Sequence, residues 1–227
     1  KACEPLWNNM VHQKMYVTGG IGATHIGEAF SFNYDLPNDT AYAETCASIG
    51  LVFFARRMLE IQAKAEYADV MELALYNGVL SGMALDGKSF FYVNPLESKG
   101  DHHRQEWYGC ACCPSQLSRF LPSIGNYIYA SSDDALWVNL YIGNTGQIRI
   151  GETDILLTQE TDYPWDGSVK LTISTSQPLE KEIRLRIPNW CKTYDLSING
   201  KRINVSEEKG YAVIKDWKSQ DVIALDM

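Results

Sequence analysis

The chain has 227 residues, 45% of them apolar and 21% charged, the balance of an ordinary globular protein with material for one or two domains. A net charge of −8 lacks the basic surface that neutralises nucleic-acid phosphates or anionic lipid, so neither nucleic acid nor membrane is expected as a partner. No apolar run approaches the roughly 18 residues of a membrane span.

The chain opens Lys1-Ala2-Cys3-Glu4-Pro5, with neither an initiator methionine nor the apolar core of a secretory signal. It reads as a fragment of a longer, cytoplasmic protein. A short amphipathic helix is expected over 4–13, with Leu6, Met10 and Val11 on one face. A second is expected over 46–63, through Ile49, Val52, Phe53, Met58, Leu59 and Ile61. A third covers 66–83, through Val70, Leu73, Ala74, Asn77 and Leu80. These two helices are too apolar for surface elements and imply a larger helical domain. A fourth helix begins after Cys113. Pro114 suits a first helical position, Leu117, Phe120, Leu121 and Ile124 follow at helical spacing, and Pro122 kinks it.

After Tyr127 the apolar period changes to two. Val169, Leu171 and Ile173 alternate with polar neighbours, as do Ile183, Leu185 and Ile187. Further strands are expected at 136–142, 147–158, 211–216 and 221–226. Turns are expected at Asn144-Thr145-Gly146, Asp166-Gly167 and Asn199-Gly200. This half reads as an antiparallel sandwich.

The chemistry concentrates in two clusters. Six cysteines in a chain this long do not make a disulfide framework, yet Cys110, Cys112 and Cys113 fall within four residues. Adjacent cysteines rarely bridge each other, so a reducing compartment or a metal is the natural explanation. Glu44 and Cys46 with Cys112 and Cys113 would give zinc one carboxylate and three thiolates, with Cys110 as an alternative ligand. Residues two apart lie on opposite sides of an α-helix, so Glu44 and Cys46 can share a metal only if the backbone there is not yet helical. The loop signal Pro37-Asn38-Asp39-Thr40 makes that reasonable. Against this stands the ordinary role of cysteine as a small core residue, which Cys46 alone would satisfy. Cys112 and Cys113 point different ways and cannot share one core slot.

The other cluster runs from Tyr16 to Glu28 and is rich in glycine. No Gly-Lys-Ser/Thr follows it, so it is not a phosphate loop. The glycines fit a tight surface loop presenting His25 and Glu28 to a cleft, with His25 a catalytic acid or a substrate hydrogen-bond donor.

Three segments in order carry a family resemblance. They are Tyr16-Val17-Thr18-Gly19-Gly20-Ile21-Gly22 with Gly27-Glu28, the run from Leu36 to Ser48, and Cys110-Ala111-Cys112-Cys113-Pro114. Together they resemble glycoside hydrolase family 127, whose best-known members are β-L-arabinofuranosidases. The resemblance implies an α+β multidomain fold: residues 1–126 as the later part of an (α/α)6 catalytic barrel, and 127–227 as the β-sandwich after it. It implies Glu44, Cys46, Cys112 and Cys113 as zinc ligands, Cys112 as nucleophile and Glu28 as acid/base. Glu72 and Tyr92 are similar to sugar-contacting positions. The segment from Tyr92 to Cys110 is shorter than in those members.

Zinc would keep a cysteine sulfur ionised, since a free thiol with pKa about 8.5 is mostly protonated near neutrality. A retaining glycosidase would hold its two groups roughly 5–5.5 Å apart. The expected partner is a small-molecule or oligosaccharide substrate, and exposed helix faces of a fragment would favour a homo-oligomer. Two other readings remain. A non-catalytic zinc module would hold Glu28 remote from the metal. A helical-barrel sugar lyase or epimerase would use a pair such as His25 and Tyr92.

Overall fold

A computed structural model describes residues 2–176 and 180–227. Contacts divide the chain into two compact units, one of residues 1–63 and 67–124, the other of residues 64–66 and 125–227.

In the first unit, α1 (Cys3–Gln13) buries Trp7, Met10 and Val11. Leu6, expected on the buried face, is 64% exposed, and Trp7 takes its place. The indole meets Phe54 and Tyr67 edge to face, at ring separations of 5.5 and 4.9 Å. The larger ring wins the buried position because it removes more apolar area from water. Helix α2 (Thr45–Ile61) buries Ile49, Leu51, Val52, Ala55, Met58 and Leu59. Phe53 and Ile61, counted on its apolar face, are instead exposed.

The third expected helix is not one regular helix. α3 (Ala65–Ala74) passes into a π-helical turn, Leu75–Val79, and then a 3-10 turn, Leu80–Gly82. The change of winding rotates the buried face, so Leu75, Gly78 and Val79 turn inward while Asn77 and Leu80 turn outward. The cause is close packing. A Cβ on Gly78 would lie 2.4 Å from Ser48 Oγ, and one on Gly82 would lie 2.7 Å from Thr45 Cγ2. Only glycine lets this segment approach the first turn of α2. Helix α4 (Cys112–Phe120) starts one residue before Cys113 and places Pro114 third. Pro122 then lies in a 3-10 turn, Leu121–Ser123, that ends the α-helical winding.

The second unit opens with the short helix α5 (Gly125–Ile128) and, among the described residues, carries eleven strands in two sheets. They are β1 (Tyr129–Ser131), β2 (Ala135–Val138), β3 (Asn144–Ile150), β4 (Thr153–Thr161), β5 (Ser168–Thr175), β6 (Glu182–Arg186), β7 (Asp195–Ile198), β8 (Lys201–Arg202), β9 (Ser206–Glu208), β10 (Tyr211–Ile214) and β11 (Val222–Asp226). The six-stranded sheet runs β3-β4-β5-β11-β7-β8 and is antiparallel throughout. The five-stranded sheet runs β1-β2-β6-β10-β9.

Three expectations need correction here. β2 and β6 pair in parallel, so the sandwich is not purely antiparallel. Residues 147–158 are the two arms of a hairpin, not one strand, and Gly151 at φ +56 supplies the reversal. Asn144-Thr145-Gly146 begins β3 and is no turn. Asn199-Gly200 does turn, with both residues at positive φ between β7 and β8. The core lies between the sheets: Leu136, Val138, Ile183, Leu185 and Ile214 from one meet Ile155, Leu157, Val169, Leu171, Ile173, Ile223 and Leu225 from the other.

Candidate metal centre and active site

The site is built on two helix N-termini and the irregular chain around them. Residues 41–44 carry no regular structure, and their side chains alternate in direction. Ala41 and Ala43 turn into a small core with Tyr16, while Tyr42 and Glu44 face the other way. Glu44 occupies the N-cap position of α2 in an extended conformation, as sharing a metal with Cys46 requires. Its carboxylate makes no capping bond. It accepts instead from the thiols of Cys112 (3.4 Å) and Cys113 (3.5 Å), which form the first turn of α4. Cys46 sits one residue into α2, so all four groups lie where helix dipoles favour negative charge.

The donor atoms of Glu44, Cys46, Cys112 and Cys113 all lie within 4.8 Å of one another. This is the set expected from the spacing, a cluster fit to hold a metal ion. Cys110 is exposed and stands outside it. Cys3 and Cys191 also stand outside it.

Backbone contacts hold the cluster rigidly. Ala43 adopts φ +38, an unfavourable conformation for a residue with a side chain. It is pinned from both sides: its N–H donates to Gly22 O (2.8 Å), and Asn94 Nδ2 donates to its carbonyl (2.9 Å). The Thr45 N–H, which the missing cap leaves without an intrahelical partner, donates to Tyr92 O (2.9 Å). The glycine-rich loop serves this packing. A Cβ on Gly19 would lie 2.7 Å from Ala74 N, and one on Gly20 3.1 Å from Ala43 Cβ. The loop is thus pressed between α3 and the strained residue beside Glu44, which explains its glycines without any phosphate.

Glu28 lies on a tight hairpin closed by the Thr24–Ala29 bridge, with its own backbone at φ +49. Two tyrosine hydroxyls donate to the same carboxylate oxygen, Oε1: Tyr42 at 2.9 Å and Tyr92 at 3.0 Å. The Tyr92 carbonyl in turn accepts from the Cys113 thiol (3.8 Å). Tyr92 therefore touches Glu28 through its hydroxyl and the cysteine cluster through its carbonyl. Tyr92 is itself fixed by Tyr108, whose hydroxyl accepts from Tyr92 N (3.1 Å) and donates to Phe90 O (2.7 Å). His25 is at the exposed tip of the Glu28 hairpin, where its carbonyl accepts from Glu28 N (3.3 Å). Glu72 is buried in α3, away from solvent.

Burial and mutual hydrogen bonding set the acidities. Burial pushes the Cys112 thiol up to about 11. Cys113 is raised further, first by its hydrogen bond with Cys46 and then by burial. Cys46, which receives that bond, is lowered and is the first thiol to ionise. Tyr92 is held far above the ordinary tyrosine range, first by Cys112, then by burial and Glu28. Tyr42 is raised by burial and then by Glu28. Without a cation, the Cys112 sulfur is thus a neutral thiol near neutral pH.

The family model described as "Beta-L-arabinofuranosidase, GH127 catalytic domain" matches residues 1–126, and the one described as "Beta-L-arabinofuranosidase, GH127 middle domain" matches residues 135–227. A non-reducing end β-L-arabinofuranosidase of Bifidobacterium longum subsp. longum is 43% identical over 92% of this chain and 34% of its own length. A GH127 β-L-arabinofuranosidase structure from Geobacillus stearothermophilus T6 superposes with a TM-score of 0.94 at 50% identity, over 99% of this chain and 38% of that one. A second GH127 β-arabinofuranosidase structure gives 0.92 at 44% identity, over 97% and 37%. The chain therefore spans about a third of the curated relative's length. With family models covering both its helical and its sheet-forming parts, the chain belongs to glycoside hydrolase family 127.

Proposed function

We propose that the longer protein containing this chain is a retaining glycoside hydrolase that releases L-arabinofuranose-type sugars from oligosaccharides or glycoconjugates. In this reading residues 1–126 are the later part of an (α/α)6 catalytic barrel and 127–227 the β-sandwich domain. One observation supports the chemistry: Tyr92 touches both Glu28, through its hydroxyl (3.0 Å), and a half-buried cluster fit to hold a metal, through its carbonyl, which accepts from the Cys113 thiol (3.8 Å).

Glu44, Cys46, Cys112 and Cys113 are the residues that would hold zinc. A tetrahedral zinc site with Zn–S near 2.3 Å has sulfur–sulfur edges of about 3.8 Å and oxygen–sulfur edges of about 3.6 Å. The Cys112–Cys113 separation of 3.8 Å and the Glu44 separations of 3.4 and 3.5 Å fit those edges. Among the described residues, the cluster has no cationic side chain as a hydrogen-bond partner, and ionised groups buried or half-buried together need a counter-charge. Held there, zinc would supply the positive charge that favours the Cys112 thiolate at a pH where burial otherwise keeps the thiol protonated.

Cys112 Sγ then attacks the anomeric carbon, and the bond to the aglycone oxygen breaks as Glu28 gives that oxygen its proton. Water next attacks the same carbon, Glu28 takes a proton from it, and the electron pair of the carbon–sulfur bond returns to Cys112. Two inversions give retention. Glu72 and Tyr92 are assigned to the sugar ring, and His25 to a hydrogen bond with substrate.

The same link argues against the other readings. A structural zinc module would have no use for a carboxylate tied to one of its ligands. An epimerase or lyase pair of His25 and Tyr92 is not supported, because the Tyr92 hydroxyl is engaged by Glu28. The test is the first-formed anomer, followed by NMR with the full-length protein on an aryl β-L-arabinofuranoside. Retention is expected, and Cys112→Ala is expected to lose kcat/KM on the order of 10³-fold or more. Inversion, or an active alanine variant, would sink the proposal.

A further inference from the structure

Glu28 is an exposed side chain on a narrow hairpin, so something other than burial must fix its carboxylate. Tyr42 and Tyr92 do so from two separate segments. Tyr42 comes from the irregular segment before α2. Tyr92 comes from the strand-like run 90–94, tied alongside it by the bonds Asn94 N to Tyr42 O (3.1 Å) and Thr45 N to Tyr92 O (2.9 Å). The rings pack edge to face at 6.1 Å. Both hydroxyls meet Oε1 and neither meets Oε2.

A carboxyl oxygen has two lone pairs, and the two tyrosines use both on Oε1. A proton carried by Glu28 must therefore sit on Oε2. The two tyrosines are not equivalent, however. Tyr92 is shared with the cysteine cluster, since its carbonyl accepts from the Cys113 thiol (3.8 Å). Tyr42 makes no hydrogen bond to that cluster among the described residues, and its hydroxyl is given to Glu28.

We propose that Tyr42 is the positioning residue of the acid/base. It anchors Oε1 of Glu28 and so presents Oε2 as the atom that gives the proton to the leaving oxygen and later takes one from water. This inference rests on the glycosidase reading above, and it concerns only the proton transfer. Removing the Tyr42 hydroxyl frees the carboxylate to rotate, which harms the step in proportion to how much the leaving group needs a proton.

The test compares the full-length protein with its Tyr42→Phe variant on two β-L-arabinofuranosides, one with a p-nitrophenyl and one with a methyl aglycone. The nitrophenolate leaves with little proton donation, whereas methoxide needs it fully. The expected loss in kcat/KM is roughly 10–100-fold for the methyl glycoside and under about threefold for the aryl one. A variant that folds in part, or binds less zinc, loses equally on both substrates, so the ratio isolates the proton transfer. Equal losses, or no loss on either substrate, would overturn the assignment. A wild-type protein that cleaves neither glycoside would instead refute the glycosidase reading itself, and this inference with it.

Discussion

The second unit is organised around its core, while the first is organised around its site. In the second unit, aliphatic side chains of two hydrogen-bonded sheets meet in one closed cluster, with strands such as β4 and β5 alternating inward and outward along their length. In the first, the residues that matter sit where regular structure begins or fails: an N-cap that does not cap, an alanine at φ +38, a hairpin with Glu28 at φ +49, and a helix that widens to π winding beside Ser48. Irregular backbone costs stability, and it persists here because glycine contacts and Asn94 over-determine it. The difference suggests that stability and chemistry are separately vulnerable in the two regions.

Removing a cluster ligand should show the widest gap between them. Glu44→Ala takes away the carboxylate that both Cys112 and Cys113 approach. Metal content by mass spectrometry should fall from stoichiometric to a small fraction, and kcat/KM should fall with it. Full activity with normal metal content would break the comparison at its strongest point.

Leu171→Ala in β5 should do the reverse. The side chain is fully buried between the sheets, so the variant should lose about 2–5 kcal/mol of stability, read as a lower denaturant midpoint. Activity and metal per folded molecule should stay unchanged.

Gly78→Ala probes the place where the two effects should coincide. The new Cβ would meet Ser48, a buried residue of the α2 turn that carries Cys46. Overpacking should cost about 1–3 kcal/mol, and metal affinity should weaken in parallel. Lost stability with unaltered metal affinity would show that the π turn supports the helix but not the site.

The smallest effect is electrostatic and belongs to the second unit. Glu182 lies between Arg184 and Lys215, which hold its carboxyl below the usual carboxylate range. A depressed folded-state value stabilises above the ordinary one, and the contribution disappears as pH falls through the depressed value. Glu182→Gln should therefore cost roughly 0.2–1 kcal/mol near neutral pH and nothing in strong acid, seen as converging melting curves.

Some of this could be read before any coordinates. The pair Cys112-Cys113 pointed to a metal-binding cluster because two adjacent side chains cannot fill one core slot, and the structure does bring four such donors together. Glu44 and Cys46 announced the geometry, since their spacing demanded a non-helical Glu44, which the structure has. Tyr42 was passed over, although its alternation with Glu44 is the signal that would have found it. Leu6 was favoured over Trp7 because α1 is short and both choices keep a helical period. In the sheets, alternation found the β5 and β6 cores, but it could not tell one long strand from a hairpin at Gly151, nor foresee the parallel pairing of β2 with β6.

What the sequence determined by itself is the inventory: which groups can ionise or bind metal, and which stretches must bury a face, because residue type and local spacing decide these. Tertiary structure alone decided the connections. That Glu28, Tyr42, Tyr92 and Cys113 form one hydrogen-bonded series depends on residues up to 64 positions apart meeting within 2.9–3.8 Å. No local pattern encodes such a meeting, because it is fixed by how the hairpin, the two helix ends and the glycine loop pack against one another.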